Sequence, residues 1–166
     1  MARTKTIRLD DYLPYLINRV GAALVARFSA GALDFHGLSI NDWRVLAVLS
    51  NSGRQRQVDL AGLTSIDPST LSRLVARLIR TGVVTRSRSR TSNREVEVQL
   101  TAKGRTAVRK MIPVALETER MSANGLTVAQ VTAVKGALRT MYRNLDKNPQ
   151  RGNTRGRKRR PAQARS

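Results

Sequence analysis

The sequence predicts a mainly α-helical chain carrying one small β-hairpin. Apolar residues recur at helical spacing in six separate stretches, and the period changes to strict alternation at one place only. Ser, Thr or Asp precedes most of these stretches, and glycine follows several of them. At 166 residues the chain is long enough for one domain with a real core and too short for two independent ones. Apolar residues make up 40% of it and aromatics only 4%, so aliphatic side chains must fill the interior.

Asp10-Asp11 opens the first helix, with Pro14 tolerated in its first turn. Leu13, Leu16, Ile17, Val20 and Leu24 give that helix an apolar stripe, which the stretch from Gly31 to Gly37 breaks. Ser39 caps the second helix. Asp42 falls in its first turn, and Leu38 and Trp43 have the spacing of a hydrophobic staple. Trp43, Leu46, Ala47 and Leu49 face inward, and Asn51-Ser52-Gly53 ends the element. A short third helix (57–63) leads through Thr64-Ser65-Ile66 to a fourth, which Asp67 caps with Pro68 at its first position. Leu71, Leu74, Val75, Leu78 and Ile79 lie on one face of the fourth helix. Ser69, Thr70, Ser72, Arg73, Arg77 and Arg80 lie on the other, and Gly82 closes it.

Val83 to Arg86 then reads as a strand, Ser87 to Asn93 as a polar basic loop, and Glu95 to Leu100 as an alternating strand. The result is a two-stranded hairpin whose tip carries Arg88, Arg90 and Arg94. Thr101 caps a fifth helix that runs through Val108, Met111 and Ala115, with Pro113 as a candidate bend and Asn124-Gly125 as its stop. Thr127 and Gln130 form a capping box for the sixth, where Val131, Val134, Leu138, Met141 and Leu145 alternate by three and four.

Charge narrows the partners. Lys and Arg number 31 against 11 Asp and Glu, a formal net of +20 that attracts polyanions. From Lys147 to Ser166 the chain holds eight basic residues, no acidic ones and nothing large and apolar, and a disordered tail is expected there. Without that segment the net charge is still +12, and Pro68 to Arg105 alone carries +7 in 38 residues. Cysteine is absent, which excludes disulfides and thiol chemistry, and the only histidine, His36, lacks the companions of a zinc site. No paired carboxylates, nucleophile–base signature or phosphate loop suggests an enzyme, and no cofactor is expected. No apolar run approaches a membrane span, and the first residues lack the apolar core of a signal peptide. A soluble, cytoplasmic protein is expected.

A short helix, a tight turn and a second helix with a polar, arginine-bearing face make a helix-turn-helix candidate. An α-helix fits the major groove of DNA if its leading residues are small or hydrogen-bonding. Ser69, Thr70 and Ser72 meet that need, and Arg73 can reach a guanine edge or a phosphate. Arg77 and Arg80 are spaced for phosphates. The hairpin is then the wing, with Arg86 at its base and Arg94 the best candidate for a narrow minor groove. Arg88 and Arg90 are either groove contacts or spectators on a loop. Arg56 and Gln57 either meet phosphates or serve the start of the third helix.

At these residues the chain resembles the MarR (multiple antibiotic resistance regulator) family. The resemblance rests on LSINDWRVLAVL, on VDLAGLTSIDPSTLSRLVARLIRTGVVTR and on the wing ending VEVQLTAKG, and with flanking helices it covers about residues 10–145. It implies a winged helix-turn-helix domain at 38–104 that binds double-stranded DNA. An N-terminal dimerisation helix within 1–37 and C-terminal dimerisation helices within 105–146 would join the two copies, leaving a basic tail at 147–166. In that homodimer Leu13, Leu16, Val131, Val134, Leu138, Met141 and Leu145 would meet their counterparts. It further implies a repressor released by a small ligand, an aromatic acid or a related thioester. Tyr12, Tyr15, Phe28, Phe35, His36 and Trp43 are the candidate liners of its pocket, although a loop or hydrogen-bonded role is the favoured one for His36. One departure stands out. Members usually carry Asp-x-Arg in the wing, whereas this chain has Ser92-Asn93-Arg94, and Ser92 cannot supply the carboxylate that braces the arginine. The alternative reading, a basic RNA-binding or ribosome-associated protein, is disfavoured by the scarcity of aromatic residues for stacking.

Overall fold

The computed structural model describes residues 6–88 and 96–146, except the side chains of Phe35 and Arg88. Its helices are α1 (Leu13–Phe28), α2 (Ile40–Ser52), α3 (Gln57–Thr64), α4 (Pro68–Arg80), α5 (Ala102–Ser122) and α6 (Val128–Leu145). Three short strands, β1 (Gln55–Arg56), β2 (Val84–Arg88) and β3 (Val96–Leu100), form one antiparallel sheet in the order β1-β3-β2.

The helices begin where side chains can satisfy their free N–H groups. Ser39 and Asp42 cap α2 reciprocally, Asp67 caps α4, Thr101 caps α5, and Thr127 with Gln130 makes the box that starts α6. α1 starts later than the acidic pair suggested. Leu9–Asp11 forms one 3-10 turn, and Tyr12 then stands extended before Leu13 and Pro14.

Two expectations are corrected. First, Gly31 does not end the first helix. The chain continues through a π turn (Ser29–Leu33) and a 3-10 turn (Asp34–His36) and stops at Gly37, where φ is 60°. Burial of Ala32 and Leu33 outweighs the weak helix propensity of the glycine. A Cβ on Gly31 would lie 2.9 Å from Val114 Cγ1, so the missing side chain admits α5. The continuous run Leu13–Leu33 consequently reaches the length and apolar character of a membrane span, with a mean hydropathy of 1.2, contrary to the sequence reading. It bears Arg19 and Arg27, and its Phe28, Ala32 and Leu33 enter the core. Second, the hairpin has a third strand. β1 pairs with β3 through Gln55↔Val98 and Arg56↔Glu97. Two residues have no period to read.

One cluster of buried side chains unites the elements up to Leu126, which form the first of two units. Leu33, Leu46, Leu60, Leu71, Leu78 and Met111 are its large, fully buried members. The alternation expected of β3 is realised, with Val98 and Leu100 buried and Val96 exposed. α5 runs without interruption through Pro113 and adds Val108 and Met111 to this core. The second unit begins at Thr127. Within it, Val134, Leu138 and Leu145 of α6 are exposed, while Val131 and Met141 are half-buried.

Candidate nucleic-acid interface and the groove beside it

The segment from α3 to α4 turns at Ser65, a non-glycine residue in left-handed conformation (φ 55°), and Ile66 drops into the core. Asp67 Oδ1 accepts the backbone N–H of Thr70 at 2.9 Å and the hydroxyl of Ser69 at 2.7 Å. Those bonds, the backbone one foremost, hold the Asp67 carboxyl well below the usual carboxylate range. With Pro68 at the first turn, α4 is pre-set to present its N-terminus.

Leu71, Leu74, Val75 and Leu78 bury one face of α4, and Ile79 is half-buried beside them. Ser69, Ser72, Arg73 and Arg80 stand exposed on the opposite face, with Thr70 half-buried. Arg73 leans back along the helix, its Nη2 donating to Thr70 Oγ1 at 3.4 Å.

Arg77 is differently employed. Its Nη2 donates to Oδ2 of Asp42, a residue with no solvent exposure in the first turn of α2. The same Oδ2 accepts the backbone N–H of Ser39 at 2.7 Å and its hydroxyl at 2.8 Å. The sequence assigns Arg77 to phosphates and places Asp42 only in the first turn of the second helix; the structure joins the two.

In the wing, β2 and β3 pair from Val84↔Leu100 to Arg88↔Val96. Arg86 is exposed and reaches Gln57 Oε1 at the start of α3, at 3.4 Å. Arg88 belongs to β2, whereas Arg90, Ser92 and Arg94 lie outside the described residues. Arg56 pairs with Asp59 through Nε (2.7 Å) and Nη2 (3.1 Å), which favours its service to α3 over a phosphate contact.

The far end of α4 is held by α5. Thr101 Oγ1 donates to Gly82 O at 2.7 Å, Lys103 Nζ to Thr81 O at 2.9 Å, and the Thr101 N–H to Val83 O at 3.1 Å. Gly104 packs so closely that a Cβ there would lie 2.0 Å from Val83 O.

Beside this domain a groove of about 360 Å³ runs between α1, α2 and α5. Leu24, Val25, Phe28, Ile40, Trp43 and Ala115 make it apolar, and Thr118, Glu119 and Ser122 supply its polar edge. A second hollow of about 350 Å³ shares Leu24, Thr118 and Ser122 with it and adds Arg27. Of the predicted liners, Phe28 and Trp43 meet here, ring edge to face with centroids 5.1 Å apart. Tyr12 precedes α1 and is exposed, Tyr15 lies under the Arg19 guanidinium at 5.7 Å, and His36 sits in the 3-10 turn; none of the three lines the groove. The side chain of Phe35 is outside the description. Sequence reasoning missed the α5 wall, although Ala115, Thr118, Glu119 and Ser122 continue the helical spacing of Val108 and Met111. Among the described residues no cluster of three His, Cys, Asp or Glu could hold a metal ion.

Comparison with known proteins follows the same outline. The profile of the MarR family matches residues 38–96. An HTH-type transcriptional repressor of Mycobacterium tuberculosis is 32% identical over 124 residues, covering 75% of this chain and 85% of the relative. A crystal structure of a MarR family transcriptional regulator from Silicibacter pomeroyi superposes with a TM-score of 0.75 at 28% identity, over 86% of this chain and 96% of that one. A structure of Bordetella bronchiseptica BpsR, whose DNA binding is regulated by 6-hydroxynicotinic acid, superposes at 0.70 with 29% identity, over 78% and 98%.

Proposed function

This chain belongs to the MarR family of transcriptional regulators, and on that premise we propose that it is a repressor that binds double-stranded DNA as a homodimer. The observation that carries the proposal is the division of α4 into a buried aliphatic stripe and a polar face of exposed Ser69, Ser72 and Arg73 with half-buried Thr70, behind a capped N-terminus. Short hydroxyl side chains approach base edges closely, Arg73 offers a fork to guanine, and the N-terminal end of the helix dipole favours a phosphate. Arg80 and Arg86 supply phosphate contacts, and Arg88, Arg90 and Arg94 are further candidates for contact with DNA. Two copies related by a two-fold axis would set their α4 helices into successive major grooves, about 10 bp apart. Fluorescence anisotropy with operator, random duplex and structured RNA tests this reading. Tight operator binding that falls steeply with salt supports it, and a preference for RNA would overturn it.

The apolar faces of α1 and α6 suit the dimer lobe, with Leu13, Leu16, Val134, Leu138 and Leu145 exposed and Val131 and Met141 half-buried in the single chain. The groove walled by Phe28, Trp43 and α5 suits a flat apolar molecule, and Arg27 in the adjoining hollow suits an anionic end. An aromatic acid has both features, and BpsR offers a relative whose DNA binding answers to one. In this reading the chain has no catalytic activity, works in the cytoplasm, and releases DNA when the groove is filled. A thermal-shift screen of aromatic acids checks the last point, since a ligand that prefers the native state raises Tm.

A further inference from the structure

The groove is walled by α2 and α5, and these two helices also hold α4. The tie from α2 is the unusual one. Asp42 is fully buried, its Oδ2 takes all three donors, and its Oδ1 is buried with no hydrogen-bond partner among the described residues. A carboxylate so placed needs a compensating charge, and the Arg77 guanidinium, itself partly exposed, supplies it. Swinging Arg77 out to a phosphate would strand that buried charge, and a surface phosphate contact does not repay such a loss. The neutral pair also attracts the DNA backbone far less than a free cation does.

Resting on the DNA-binding reading of α4, we propose that Arg77 is a positioning residue: through Asp42 it pins the last turn of α4 to the first turn of α2, so that the seat of the DNA-reading face depends on the groove wall. Ile40 and Trp43, which flank Asp42 on α2, both line the groove. An occupant that displaces them moves the turn bearing Asp42, and Arg77 carries the displacement to α4. The bonds of Thr101 and Lys103 hold Gly82 and Thr81 just beyond the same end of α4, so a displacement at Arg77 tilts the helix about that end and swings its N-terminal turn.

The experiment is a double-mutant cycle with Arg77→Gln, Asp42→Asn and the two combined, read as operator affinity over a range of salt. Each single change is expected to weaken operator binding by roughly five- to fiftyfold, with the pair no weaker than the worse single variant. For Arg77→Gln the slope of log affinity against log salt should stay at the wild-type value. A phosphate contact predicts the reverse: Arg77→Gln lowers the slope by about 0.9, and Asp42→Asn, which frees the cation, binds as tightly as wild type or tighter. That pattern overturns the proposal. Circular dichroism and thermal melts monitor folding, and if Asp42→Asn does not fold, the slope of Arg77→Gln alone decides between the two outcomes. A wild-type chain that binds no duplex overturns the DNA-binding reading and this proposal together; wild-type binding with the phosphate pattern overturns the proposal alone.

Discussion

Arg73 and Asp67 act on the same turn of α4 by different physics. Arg73 is exposed and, among the described residues, held by a long bond to Thr70, so it can reach a base edge at little conformational loss. Arg73→Ala is expected to cost roughly 1–3 kcal/mol of operator affinity and to relax preference at one base position, read by anisotropy on single-base operator variants. A loss that is uniform across sequences, with a shallower salt slope, would make it a phosphate contact. Asp67 instead organises the turn. Its carboxyl is held below its ordinary value of 3.8 in the folded chain, so its stabilisation is complete above that value and is lost as pH falls well below it. Asp67→Ala should therefore lower Tm at neutral pH, and the gap from wild type should close in strongly acidic solution; a gap independent of pH would deny the carboxylate that role. Both residues were legible in the sequence, because caps and exposed faces are local signals. The bond from Arg77 to Asp42 was not, since 35 residues separate the partners and no periodicity links them.

At the scale of elements, α2, α4 and α6 could be read nearly to the residue because each begins with a cap and keeps one apolar period. The π turn after α1 could not. Tertiary packing of Ala32 and Leu33 overrides the glycine signal there, and Gly31 serves close helix packing instead. β1 escaped for want of length, and the α5 wall of the groove because its small polar side chains lie on a helix read only for its core stripe. The joint between α5 and Val83, at the entry to β2, shows what such packing demands. Gly104 is buried against the carbonyl of Val83, where backbone meets backbone and no flexible side chain can yield. Gly104→Ala is expected to destabilise the fold by roughly 1–3 kcal/mol or more, measured by urea unfolding. It should also loosen the end of α4, so operator affinity should fall further than stability alone accounts for. A variant as stable as wild type would mean that Val83 and α5 can separate freely.

Over the whole molecule, two surfaces remain to be matched to partners: the apolar face of α1 and the excess of positive charge. Leu16, Ile17 and Val20 stay exposed on α1, and burial against a second copy would remove them from water. Leu16→Glu should then yield monomers by sedimentation and reduce operator affinity far more than affinity for random duplex, because only a dimer engages two half-sites at once. A monomeric wild type at micromolar concentration would refute the paired mode. The charge acts over longer range and carries no sequence information. Eight of the 31 basic residues lie in the last twenty positions, where no acidic residue offsets them. Each that neutralises a phosphate adds about 0.9 to the magnitude of the salt slope, whatever the base sequence. Removing residues 147–166 should therefore weaken binding to operator and random duplex by similar factors, flatten both slopes, and leave their affinity ratio near its original value. Slopes unchanged by the truncation would show that these cations make no phosphate contacts. A ratio that falls with the truncation would instead assign part of the base recognition to this segment.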